Sequence, residues 1–257
     1  MKSNLYLIGS VHKDHEGSEK LERVLDFIKP ATILVEAHPH RLEFYKNAVK
    51  KFDLDTIIKK TDLTLTQNQR NVLEQITQQE ICAHGYGYEY FTAEEYSKKN
   101  SIPLICMDCA VFETPEELDL ANSLFGLESC FQPHLRENLL EMLDKGIENY
   151  RQEKKEFIEE IYRVYSSRRA DPQKEVAKLL LHGKEKEAAL LQKICDPQRN
   201  SYMAEIIKNE YLPSQPKTIA LCGLAHLSAL EEQLFDLEPH AIPLHYLWKG
   251  LQKEEKK

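Results

Sequence analysis

Leu5-Tyr6-Leu7-Ile8-Gly9-Ser10-Val11-His12 is the stretch on which the reading of this chain turns. An apolar run without polar alternation is the pattern of a strand covered on both faces. A glycine and a histidine follow the run at once. The same design returns near the other end of the chain, as Thr218-Ile219-Ala220-Leu221-Cys222-Gly223-Leu224-Ala225-His226.

Two further apolar runs, Thr32 to Val35 and Ile102 to Met107, read as buried strands, and Ala241 to Leu247 reads as a fifth. Pro243 places that fifth strand at a sheet edge, because proline cannot donate to a ladder. Helical patterns separate the runs. Ser18 to Ile28 carries Leu21, Val24, Leu25 and Ile28 on one face and is stopped by Pro30. Thr92 to Lys99 and Leu227 to Phe235 lead into later strands. Strand-helix alternation predicts an α/β fold with a central, mostly parallel sheet flanked by helices. One domain over 1–257 is expected, with a long helical insertion or cap at about 115–212, paired as a hairpin around Ala170-Asp171-Pro172. Arg41 to Gln79 reads as polar helix.

Charge and composition exclude some functions. The net charge is -8 and no stretch interleaves basic and aromatic residues, so nucleic acid is not an expected partner. No apolar run reaches the ~18 residues a spanning helix needs, and the start is too short for a secretion signal. A cytoplasmic protein with no membrane partner is expected, and its six cysteines read as reduced thiols. A homodimer is left open. No P-loop, dinucleotide fingerprint or Gly-x-Ser-x-Gly elbow occurs, which argues against an NTPase or a common serine hydrolase. Cys106-Met107-Asp108-Cys109 lacks the second pair that a metal site of that type needs.

In an open parallel sheet, ligands bind outside the carboxyl ends of the strands. Here those ends deliver His12, then Glu36 followed by His38, His40 and Arg41, then Asp108, then His226. Gly9 and Gly223 each precede a histidine by three residues. Each is expected to allow a tight turn with positive φ that aims the imidazole over the strand end. Imidazoles and a carboxylate converging on one point suit a divalent metal (Mn, Co or Zn) or an acid-base centre. The bland alternative is a hydrogen-bonded cluster that ties strand ends together. His12, Glu36 and His226 are the expected metal ligands, and His15, His38 and His40 are auxiliary candidates. Asp196-Pro197 reads as a cap and first residue of a helix that carries Arg199 and Asn200 in its first turn.

Taken in order, Ile8 to His12, Val35-Glu36 with Arg41, Glu89 to Asp108, Arg199 to Ala204 and Cys222 to Leu227 resemble motifs of the TraB/PrgY/Tiki family, which is related to erythromycin esterases and ChaN-like haem-binding proteins. The resemblance implies an erythromycin-esterase/ChaN-like core. Tiki proteins are regarded as metal-dependent peptidases, and erythromycin esterases open a lactone with a comparable His and Glu centre. TraB-type proteins of bacteria are linked to peptide pheromone control. The expectation is a metal-dependent hydrolase acting on a peptide or small-molecule substrate. His12, Glu36 and His226 would hold the metal, or Glu36 would activate water. Arg41, Arg199 and Asn200 would hold a substrate carboxylate or oxyanion, and Asp108 would orient them. A binding module for haem or a peptide, and a regulatory or effector protein, remain the alternatives. No membrane-spanning tail and no secretion signal are read here, unlike typical TraB and Tiki proteins respectively.

Overall fold

The computed structural model describes residues 3–39, 55, 58, 64–83, 87–109, 136–166, 172–194, 196–211 and 216–255. Arg41, His40 and, of the expected hairpin turn, Ala170 and Asp171 lie outside the described residues.

Five strands form one parallel sheet. They are β1 (Leu5–Ser10), β2 (Thr32–Val35), β3 (Leu104–Cys106), β4 (Thr218–Gly223) and β5 (His240–Pro243), in the order β3-β2-β4-β1-β5. All five expected strands are present. The two Gly-x-x-His strands are neighbours, with Gly9 opposite Cys222 and Ser10 opposite Gly223. β5 is an edge, as Pro243 requires, but it is shorter than expected. It ends at Pro243, and Leu244 already opens the helix Leu244–Glu255. Proline fits there because its fixed φ suits the entry to a helix and its missing N–H faces no partner strand.

Side chains alternate across the sheet, so each strand feeds two cores. Ile33, Val35, Ile219, Leu221 and Ile8 point to one face. There they meet α1 (Gly17–Ile28), α3 (Tyr88–Asn100) and α10 (Leu244–Glu255) through Leu21, Leu25, Tyr96 and Leu244. Leu5, Leu7, Leu34, Ala220 and Cys222 point to the other. That face is covered by α5 (Ile147–Ser166), α8 (Pro197–Glu210) and α9 (Leu224–Gln233), with Tyr162, Met203, Ile207 and Leu230 fully buried. α1 ends where the sequence indicates, with Lys29 in the left-handed region just before Pro30.

The described part of the insertion is helical: α4 (Arg136–Lys145), α5, α6 (Pro172–Leu181), α7 (Glu185–Ile194) and α8. A smaller core joins α2 (Gln67–Ala83) to α4 through Val72, Leu73, Ile76, Leu139 and Leu143. Among the described residues, no helix is long and apolar enough to cross a membrane.

Candidate functional site

The carboxyl ends of β1, β2 and β4 meet at one point. Glu36, just past β2, lies at its centre. Its Oε2 accepts the Gly223 N–H at 2.5 Å, and its Oε1 accepts Arg199 Nη2 at 2.9 Å. His226 Nε2 stands 3.4 Å from the same Oε1. Desolvation alone would raise this carboxyl, but His226, His12 and Arg199 outweigh it and hold it well below the ordinary carboxylate range.

Arg199 is delivered by the first turn of α8. Asp196 caps that helix, accepting from Gln198 N at 2.8 Å, with Pro197 at its start. The guanidinium is 6% exposed and every N–H is directed. Nε and Nη2 form a fork on Asp108 at 3.1 and 2.8 Å. The second Nη2 hydrogen goes to Glu36, and Nη1 meets the Ile194 carbonyl and, at 3.4 Å, His226 Nε2. Asn200 Oδ1 accepts from His226 Nδ1 at 2.7 Å. In this arrangement Arg199 and Asn200 bond groups of the protein itself. Asp108 is the acceptor of that fork.

His12 faces outward. Its Nδ1 donates to Glu89 Oε1 at 3.0 Å, and Ser10 Oγ donates to the same oxygen at 2.6 Å. Its ring is 43% exposed, whereas the side chains of Asp108, Arg199, Glu89, Glu36 and His226 are 2–9% exposed. Desolvation opposes the charged imidazole, but the Glu89 charge and hydrogen bond, with Glu36, outweigh it and push His12 up to about 9. The loop behind is tied down: Tyr162 accepts the Val11 N–H at 3.3 Å, and Tyr88 donates to the Val11 carbonyl at 3.4 Å.

The two motif glycines serve space, not positive φ. Gly223 has φ -59°, and Gly9 is likewise outside the left-handed set. A Cβ on Gly223 would stand 2.8 Å from His12 Nε2 and 3.3 Å from Glu36 Oε2. A Cβ on Gly9 would press Leu224 and Leu227 at 2.9 Å. One glycine lets the imidazole lie over the strand end; the other lets α9 pack on β1.

The expected set His12, Glu36, His226, Asp108, Arg199 and Asn200 is therefore brought together. His15 faces a different cavity, described below. Glu89 and Ser10 are site residues that sequence reasoning missed. Ser10 was visible at the strand end, but Glu89 reads as an ordinary acidic residue in a helix's first turn. Its signals were its place at the start of the Glu89 to Asp108 segment and two residues after Gly87, where a Cβ would stand 1.8 Å from the Glu89 carboxylate.

Both imidazoles are held at Nδ1, the arrangement that metal-ligating histidines favour. The third donor does not fit. Both Glu36 oxygens are already engaged, and the Arg199 cation touches Glu36 and His226 Nε2 together. Among the described residues, no group of three or more His, Cys, Asp or Glu is arranged to hold a metal ion. Among the described residues Cys106, Cys109 and Cys222 form no disulfide, and burial pushes the thiols of Cys106 and Cys222 up, away from thiolate chemistry.

Compared with models of known protein families and with curated proteins, the sequence gives no match to either.

Proposed function

We propose that the chain is a hydrolase of carbonyl-centred bonds, a peptide or an ester, in which His12 carries the proton. One observation carries the reading: His12 is locked at Nδ1 by a buried carboxylate while its ring reaches solvent beside Glu36. A carboxylate that fixes tautomer and orientation is what a working imidazole needs. The TraB/PrgY/Tiki resemblance supports the same reaction class. The metal expected from that resemblance does not fit the residues as placed.

In the neutral form, His12 Nε2 takes a proton from water as the water oxygen attacks the carbonyl carbon. Glu89 stabilises the imidazolium that forms. His12 then returns the proton to the departing nitrogen or oxygen as its bond to carbon breaks. α9 begins at the same strand end, and the amides of a helix's first turn favour a developing oxyanion. Glu36, Arg199, Asp108, Asn200 and His226 form the rigid wall of the site.

The elevated His12 also favours a second reading, a non-catalytic pocket in which the imidazolium binds an anionic ligand. The two differ in sign. A base must lose its proton, so kcat/KM should climb about tenfold per pH unit and level off above about 9. Anion binding should persist below that pH and fade above it. The test is a screen of chromogenic esters and short peptides, from pH 6 to 10, with wild type and His12→Ala. Turnover that His12→Ala retains in full would sink the assignment, and ligand binding without turnover would select the second reading.

A further inference from the structure

A cavity of about 190 Å³ lies away from Glu36, between the start of α1, the middle of α5 and the first turns of α10. Its wall includes His15, Lys20, Lys155, His245, Trp248 and Lys249. Three of these carry buried polar atoms with no hydrogen-bond partner among the described residues: His15 Nδ1, His245 Nδ1 and Trp248 Nε1. A buried polar group left unpaired is costly, and three in one wall is not a pattern that packing produces for its own sake. An indole N–H can only donate, so what completes it must be an acceptor. His245 is 3% exposed, and burial, with Lys249 and Lys20, holds it below the ordinary imidazole range. It is therefore a neutral ring that can donate one N–H.

Three carboxylates and three ammoniums reach this wall, and at His245 the Lys249 and Lys20 charges outweigh those of Glu159 and Asp14. Asp14 and Glu16 share Lys20 at 2.8 and 3.2 Å, and Glu159 meets Lys249 at 3.4 Å. Lys155 adds a further positive charge, felt at Glu16. Lys20 also sits 5.2 Å over the Trp248 ring, and Tyr162 stacks on His245 at 5.0 Å, so the wall is rigid.

We propose that this cavity is a binding site for a small oxyanion, a carboxylate or phosphate group, taken by Trp248 Nε1 with the Lys155 and Lys249 ammoniums. The volume suits a molecule a few times the size of water, whose share of liquid is ~30 Å³. The site is separate from the Glu36 centre and does not rest on the hydrolase reading. They share one piece of chain, because the loop after His12 supplies Asp14, His15 and Glu16 to the wall.

Trp248 is the chain's sole tryptophan, so intrinsic fluorescence reads this cavity directly. The 257-residue chain is titrated with inorganic phosphate and, separately, with succinate, with chloride holding ionic strength constant. The expected result is a saturable change with at least one of them and none with chloride alone. The one that saturates identifies the group. The double variant Lys155→Gln, Lys249→Gln should weaken the half-point by about tenfold or more while near-UV circular dichroism stays native, since charge-assisted hydrogen bonds are lost. His12→Ala should titrate like wild type. No saturable change with either anion would overturn the proposal. So would a folded lysine double variant that titrates like wild type, or a response that His12→Ala abolishes.

Discussion

Replacing Arg199 with Met tests whether the network around Glu36 is held by charge. The guanidinium is 6% exposed, and its two carboxylate partners, Asp108 and Glu36, are 2% and 8% exposed. Methionine keeps most of the apolar stem, so the change chiefly removes the cation. Breaking one side of a buried ion pair typically costs about 3–5 kcal/mol, because the remaining charge is left in a poor solvent. At roughly 2–4 °C per kcal/mol for a domain of this size, Tm should fall by roughly 6–20 °C at neutral pH. The sign with pH follows from Glu36. Its folded pKa is depressed, so its contribution is present above the ordinary carboxylate range and lost as pH falls through the folded value. The gap between wild type and variant should therefore narrow in acid. Adding Asp108→Leu to Arg199→Met should recover part of the loss, since it removes the stranded charge. The assay is thermal and urea unfolding of the wild type, Arg199→Met, Asp108→Leu and the double variant at neutral and acidic pH. A loss under about 1 kcal/mol, or a double variant worse than the sum of its singles, would refute the buried-pair account.

The motif glycines should part company on substitution. Gly223→Ala pushes on the His12 ring, which can swing toward solvent, so turnover should drop by about tenfold or more with a stability change under about 1 kcal/mol. Gly9→Ala presses two core leucines and should cost about 1–3 kcal/mol, read from urea midpoints. A stability component from His12 is expected too. Its folded pKa is raised, so the contribution is complete below about 6.5 and lost as pH rises through about 9. Wild-type Tm should decline across that window and Glu89→Gln should flatten the decline; parallel curves would discount the Glu89–His12 pair. Metal analysis of untagged protein should give well under one divalent ion per chain. Near-stoichiometric metal that vanishes in a folded His12→Ala, His226→Ala variant would mean that Arg199 yields its place to a cation.

Local pattern found every strand, because an uninterrupted apolar run states its own burial on both faces, though it overran β5, where Leu244 opens a helix instead. Thr32 to Val35 was legible to the residue, and Asp196-Pro197 announced its helix for equally local reasons: a side-chain acceptor and a fixed φ need only adjacent residues. Polar groups past strand ends were legible as a set, since the carboxyl edge of a parallel sheet gathers whatever follows its strands. Which of them touch was not. The His12–Glu89 bond spans 77 positions, Arg199–Glu36 spans 163 and Gly223–Glu36 spans 187. The Gly223–Glu36 contact exists because β4 inserts between β1 and β2, an order that no local periodicity encodes. The same holds for the glycines, whose need for space depends on an imidazole and two leucines arriving from elsewhere. It holds as well for the Trp248 cavity, which forms only where three helices distant in sequence close on one loop. The sequence by itself determined which segments are buried and which residues could do chemistry. The tertiary structure decided which donor meets which acceptor, because hydrogen bonds and ion pairs act over a few ångströms and only packing brings remote residues that close.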